Sequence, residues 1–257
     1  MLKQVILGAA RAQLRITRQN VEDLRPILTM PLVALIALAV ITQSGKPELA
    51  PYAVVAAVLM TVGQMGNFVA SEIVFQERNE QTLELVVASP APYYFVLMAR
   101  VLVLTSLGLV GALQSWLIAR FVFGLSITVF HPFIALAALL GTSLAAAGTA
   151  LLTTALFALG TQVRTFQNAI NGPLYLLGGV LVPTVYLPGW LQPLSPFVFF
   201  YWSANLLRAA LAPEPPEHVA RSLLAILALG VGTALLGKKV LARMLDSLRR
   251  DGSLGLT

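Results

Sequence analysis

Six apolar stretches, near residues 27–43, 52–75, 93–122, 133–160, 166–187 and 219–240, decide most of what this chain can become. A helix needs roughly 20 residues to cross about 30 Å of hydrocarbon, and each stretch can do so. The first is the shortest, and Thr42 and Gln43 complete it at the interface. Charged residues make up only 11% of the chain, against about 25% in a soluble domain, and the mean hydropathy is +0.82. The expected fold is an all-α polytopic membrane protein with six transmembrane helices, forming a single membrane domain over residues 1–257. There are no cysteines, which excludes disulfides and thiolate chemistry.

Residues 1–25 are too long and polar to be a standard leader peptide. Arg11, Arg15, Arg18, Glu22 and Arg25 follow helical spacing, with Leu7, Ala10, Leu14, Val21 and Leu24 opposite. Such a basic amphipathic helix is expected to lie in the membrane interface. Lysine and arginine set the orientation. With the N-terminus inside, thirteen cations fall inside and four outside (Lys46, Arg120, Arg208 and Arg221). Both termini are therefore expected in the cytoplasm. Topology also explains the net charge of +6 without any nucleic-acid partner.

The most charged segment between apolar runs is 76–90, which carries Glu77, Arg78, Glu80 and Glu84. As one helix it sets Glu77, Glu80 and Glu84 on an acidic face. Leu83, Val86 and Val87 fall largely on the other face, and Ser89-Pro90 stops the helix. The pattern Glu-Arg-x-x-x-Thr-Leu-Glu-Leu-x-x-x-Ser-Pro resembles the cytoplasmic coupling helix of type-2 ABC exporter permeases, and the surrounding spans match over nearly the whole chain.

That resemblance implies a permease subunit in the cell (inner) membrane, multi-pass, docked on a separate cytosolic ATPase. It implies a second permease subunit, in a homodimer or heterodimer. It assigns ATPase coupling to Glu77, Arg78, Glu80, Thr82, Leu83, Glu84 and Val87. ATP and magnesium are expected on the ATPase, with no cofactor in this chain.

Residues 188–211 tempt a seventh span, but a seventh crossing would put the C-terminal cations outside. Pro188, Pro193 and Pro196 interrupt a helix there, and Tyr186, Trp190, Tyr201 and Trp202 favour headgroup depth. A re-entrant outer pair of short helices is expected, with Trp190 and Arg208 as its markers. This stretch also resembles the family's external helices before the last span.

Within the spans, the polar residues are Gln64 and Asn67, Gln114, and Asn168 and Asn171. Asn168, Asn171 and Tyr175 share a face. Buried amides in lipid face protein or a watery cavity, so these residues either line a translocation path or tie helices together. The family places its second and fifth spans near the dimer interface. Arg100 is expected to pair with Glu72 at similar depth. In the fourth stretch Thr142, Ala146, Ala150, Thr154 and Ala158 permit close helix approach, which is expected to be used inside one subunit.

Catalytic and metal-binding residues are not expected. The two histidines fall in outer loops, and no aspartate lies within a span core. The sequence Gly232-Thr-Ala-Leu-Leu-Gly-Lys238-Lys239 nearly matches a phosphate loop, but has lysine where Ser or Thr should hold magnesium. The expected function is an exporter's permease subunit with drug-like or lipid-like cargo. A stand-alone secondary transporter and a non-transport assembly subunit are the alternatives.

Overall fold

The structure, a computed structural model, describes residues 2–83, 85, 92–157 and 163–250. Among these the regular structure is all helical, with no strand. The helices are α1 (Leu2–Gln19), α2 (Arg25–Gln43), α3 (Ala50–Gln64), α4 (Ile73–Asn79), α5 (Tyr93–Leu107), α6 (Val110–Leu117), α7 (Pro132–Phe157), α8 (Val163–Leu177), α9 (Phe199–Leu211) and α10 (Val219–Arg250). Short turns join several of these into five segments long and apolar enough to span a membrane. They are Glu22–Gln43, Ala50–Asn79, Tyr93–Val122, Pro132–Leu156 and Val219–Asp246.

The expected fifth span, 166–187, is shorter than hydropathy suggested. Helix α8 has 15 residues, about 22 Å at 1.5 Å per residue. It ends at a stop that hydropathy cannot register. Gly179 takes a φ of +64°. Its N–H reaches the Leu176 carbonyl, and the Val180 N–H reaches back to Tyr175. These two bonds make a Schellman motif, which glycine favours because it has no Cβ to strain in the left-handed region. The same device ends α2 at Gly45, with the Gly45 N–H on Thr42 and the Lys46 N–H on Ile41.

The Ala50–Asn79 helix is the centre of the bundle. Some 83% of its apolar stretch is buried, against 22% for Glu22–Gln43 and 17% for Val219–Asp246. Between lipid-exposed helices the hydrophobic effect supplies little net attraction, so close packing and interhelical hydrogen bonds must hold them. The tightest approach joins α7 and α10 through Gly148 and Gly230. A Cβ on Gly230 would lie 2.6 Å from the Ala145 Cα. The small residues of α7 are used within the subunit, as expected. Thr142 Oγ1 donates to Ser203 Oγ on α9 (2.8 Å), Ala146 meets Gly66, and Thr154 Oγ1 donates to the Ala70 carbonyl. Ala158 lies outside the described residues.

Helix α1 packs along α5, with Gln13 and Thr17 buried against it. Arg11, Arg15 and Arg18 point outward, and Leu7 and Leu14 remain exposed. The 188–211 stretch is not one continuous helix. A short 3-10 segment, Gln192–Phe197, precedes extended Val198, and α9 then follows with 13 residues. Trp190 is exposed. Arg208 is half-buried. Its guanidinium donates to the carbonyls of Gly179 (2.7 Å) and Val180 (3.2 Å) and lies 4.7 Å from the Tyr52 ring centroid. It thereby satisfies two carbonyls of the turn that follows α8.

Candidate functional site

The expected single helix over 76–90 does not form. Glu77 and Arg78 belong to α4, the last turns of the Ala50–Asn79 helix. That helix ends at Gln81, which has a φ of +58°. The Gln81 N–H reaches the Arg78 carbonyl and the Thr82 N–H reaches Glu77, so this stop is also a Schellman motif. Helical backbone resumes at Leu83 and Leu85. Glu84 and Val87 lie outside the described residues, as does the Ser89-Pro90 break.

The break changes which side chains face out. Glu77 is buried. Its carboxylate forms a salt bridge with Arg100 on α5 and accepts a hydrogen bond from the Tyr93 hydroxyl (2.6 Å). Arg100 also donates through Nε to Gln13 Oε1 on α1 (2.7 Å). The salt bridge of Arg100 is thus with Glu77 rather than the expected Glu72, because the central helix continues past Glu72 and brings Glu77 to the arginine. One buried cluster joins α1, α4 and α5. Leu83, expected on an outward apolar face, is buried in the apolar core beside Leu97 and Tyr93. Glu80 is exposed, and Leu85 is 74% exposed. Thr82 is half-buried, its hydroxyl on the Glu77 carbonyl at 3.2 Å.

A glutamine in the left-handed region is strained, by about 1–2 kcal/mol for residues other than glycine. Gln81→Gly is therefore expected to raise stability by about 1 kcal/mol, and Gln81→Val to lower it. Thermal unfolding of the purified protein in detergent checks both signs.

The second arrangement is a polar seam between the central helix and α8. The two helices run antiparallel. Asn67 Nδ2 donates to Asn171 Oδ1 (3.2 Å), and one turn further Gln167 Nε2 donates to Ser71 Oγ (2.6 Å). Towards the other end, the Tyr175 hydroxyl donates to the Met60 carbonyl (3.3 Å). A Cβ on Gly63 would lie 2.5 Å from that hydroxyl, so glycine is what lets the tyrosine in. Asn67 lies in a π-turn, Met65–Val69, a distortion common at functional positions. Among the described residues, Gln167 Oε1 and Asn171 Nδ2 are buried without a hydrogen-bond partner.

Of the expected path residues, the seam therefore unites Asn67, Asn171 and Tyr175. Gln64 instead lines a separate 370 Å³ cavity beside Asp23, Glu72 and Gln76. Gln114 lies on α6, which packs chiefly against α2 and α3. The side chain of Asn168 lies outside the described residues. Gln167 and Ser71 were missed. The signal was a matched pair of four-residue spacings, Asn67/Ser71 and Gln167/Asn171, in two apolar segments.

The near-match to a phosphate loop lies inside continuous α10, where Gly237 packs against Leu152 backbone. The loop that such a motif needs is not formed there.

Comparison with known families finds that the family described as ABC-2 type transporter matches residues 3–212. No match was found among curated proteins.

Proposed function

The chain belongs to the ABC-2 type transporter family, and we propose that it is the permease subunit of an ATP-driven exporter that pairs with a second permease and a separate cytosolic ATPase. ATP and magnesium would be held by that ATPase. The observation that carries the reading is the break at Gln81. It leaves Glu80 and Leu85 exposed beyond the end of the central helix, while Glu77 and Leu83 are anchored in the core. A push on that tip would be transmitted to the whole Ala50–Asn79 helix, because the buried Arg100 cluster ties its end to α1 and α5. Leu85, rather than Leu83, would fill an apolar notch on the ATPase, with Glu80 meeting a cation there.

The path would follow the seam between the central helix and α8. Parting these helices would free Asn67 and Asn171 and uncover the unpartnered atoms of Gln167 and Asn171. Amides without a charged ring suit mildly polar or amphipathic cargo, drug-like or lipid-like, rather than ions. Ala169, Ile170, Gly172, Pro173 and Leu176 are exposed on the opposite side of α8, a face suited to the second permease.

The test is Leu85→Asp combined with Glu80→Lys. A like-charge clash across an interface costs several kcal/mol, while both residues are exposed in this subunit. The variant is expected to reach the membrane at parental levels, yet to lose most ATPase retention and transport. Parental retention and transport would sink the coupling role.

In the orientation proposed, both termini and Glu80 are cytoplasmic. Single cysteines at Lys46 and Glu214 are then expected to react with an impermeant maleimide in intact cells, and one at Glu80 is not. The reverse pattern would invert the topology.

A further inference from the structure

Two neighbouring cavities near the Lys46 end of the bundle lie side by side along one groove, walled in part by the same residues. The first, about 330 Å³, lies between α3, α6, α7 and α9, and its walls are apolar throughout, with Trp116 the single aromatic. Val54 and Val58 lie one and two turns beyond Ala50, and Ala135 lies about one turn into α7. At 1.5 Å per residue, the cavity sits roughly 5–12 Å below the loops, at acyl-chain depth in that leaflet. Leu113 and Trp116 are partly exposed at its mouth.

The second cavity, about 340 Å³, shares Ile127 and Leu211 with the first and opens at loop level. Its lining is mixed: apolar side chains with a few polar groups among them. It includes the exposed carboxylate of Glu48 together with Ser126 and Thr128. Arg120 Nη1 donates to Ser126 Oγ at 2.6 Å, which sets a guanidinium beside the rim. The groove thus offers an apolar slot, then a cation and an anion at headgroup level. The volumes match ordinary small-molecule sites, which are mostly apolar with a few placed polar groups.

We propose that this groove holds one phospholipid of the surrounding leaflet with a phosphoethanolamine headgroup. An acyl chain fills the apolar cavity, Arg120 meets the phosphate, and Glu48 meets the ammonium. The opposed charges select a zwitterionic headgroup, and a carboxylate acceptor at Glu48 selects an ammonium that carries N–H. A free fatty acid would set its carboxylate against Glu48. A choline headgroup has no N–H to donate to Glu48. The site lies on the opposite side of α3 from the Asn67–Asn171 seam and does not rest on the transport reading.

Trp116 is the reporter. The purified chain and its Trp116→Phe variant are reconstituted in phosphatidylcholine vesicles. These are doped with phosphatidylethanolamine or phosphatidylcholine brominated along the acyl chains, because bromine quenches indole at contact. The difference between the two proteins isolates Trp116.

Quenching is expected to saturate. Half-saturation is expected at a mole fraction about two- to fivefold lower for the ethanolamine lipid, the preference that one exposed N–H hydrogen bond to a carboxylate confers. Glu48→Gln, an exposed change, is expected to erase that preference while leaving saturation. Ala135→Phe and, separately, Val58→Phe fill the cavity from two walls and are expected to remove the saturable part. Coincident curves for the two lipids in the parent overturn the proposal, as does quenching unchanged by either filling variant. Absence of quenching would mean that something other than a lipid chain occupies the cavity, and overturns it equally.

Discussion

Arg100→Met is expected to cost about 3–5 kcal/mol of stability, the range for removing one partner of a buried ion pair. The loss arises because the Glu77 carboxylate stays buried, with the Tyr93 hydroxyl still donating to it but without the Arg100 cation beside it. Gln13 Oε1 loses its Arg100 donor as well, so α1 should loosen from α5. Arg100→Glu should do more harm, since it sets a second acid against Glu77. Adding Glu77→Arg restores opposite charges, and part of the stability is expected back. Lys46→Met, in the exposed loop after α2, should stay within about 0.5 kcal/mol of the parent. Melting of detergent-purified protein and the monodisperse yield read all four. If Arg100→Met melts like Lys46→Met, the cluster is not a structural joint.

The second large effect is expected at the crossing of α7 and α10. A Cβ on Gly148 would collide with the Gly230 carbonyl oxygen and crowd Thr233 Oγ1 at 2.9 Å. Backbone rather than a flexible side chain would have to move. Overpacking of this kind costs about 1–3 kcal/mol, occasionally more, so Gly148→Ala should sharply reduce folded yield. Gly232→Ala, in open space on α10, should act in the opposite direction. Alanine favours helix over glycine by roughly 0.5–1 kcal/mol. Two identical substitutions on packed helices are thus expected to differ in sign, and comparing their melting temperatures is sufficient to check it.

Span positions were legible because lipid leaves the backbone few options. Four of the six apolar stretches, 52–75, 93–122, 133–160 and 219–240, reappear as helical segments long and apolar enough to span, the end of 133–160 lying outside the described residues, and the first does so with a longer start. The fifth was overextended because Leu181 and Val182 keep the run apolar after Gly179 has already turned the chain. The break at Gln81 was not legible, since glutamine is not among the residues that favour the left-handed region. That one residue re-aimed the segment, burying Leu83 and exposing Leu85. The partner of Arg100 was misplaced by five residues along one helix, because depth alone cannot decide which turn of a facing helix meets a long side chain. The seam was half legible. Asn67, Asn171 and Tyr175 stood out as polar residues in apolar runs, while Ser71 and Gln167 required the antiparallel register of two distant helices.

The most direct test is transport in proteoliposomes containing this chain with and without its ATPase. ATP and magnesium are supplied on the ATPase side, and cargo is drawn from a panel of drugs, lipids and glycans. The prediction is ATP-dependent cargo movement that needs both proteins, ignores ion gradients, and collapses with Leu85→Asp and Glu80→Lys. Movement by this chain alone, driven by an ion gradient and indifferent to ATP, would contradict the exporter reading.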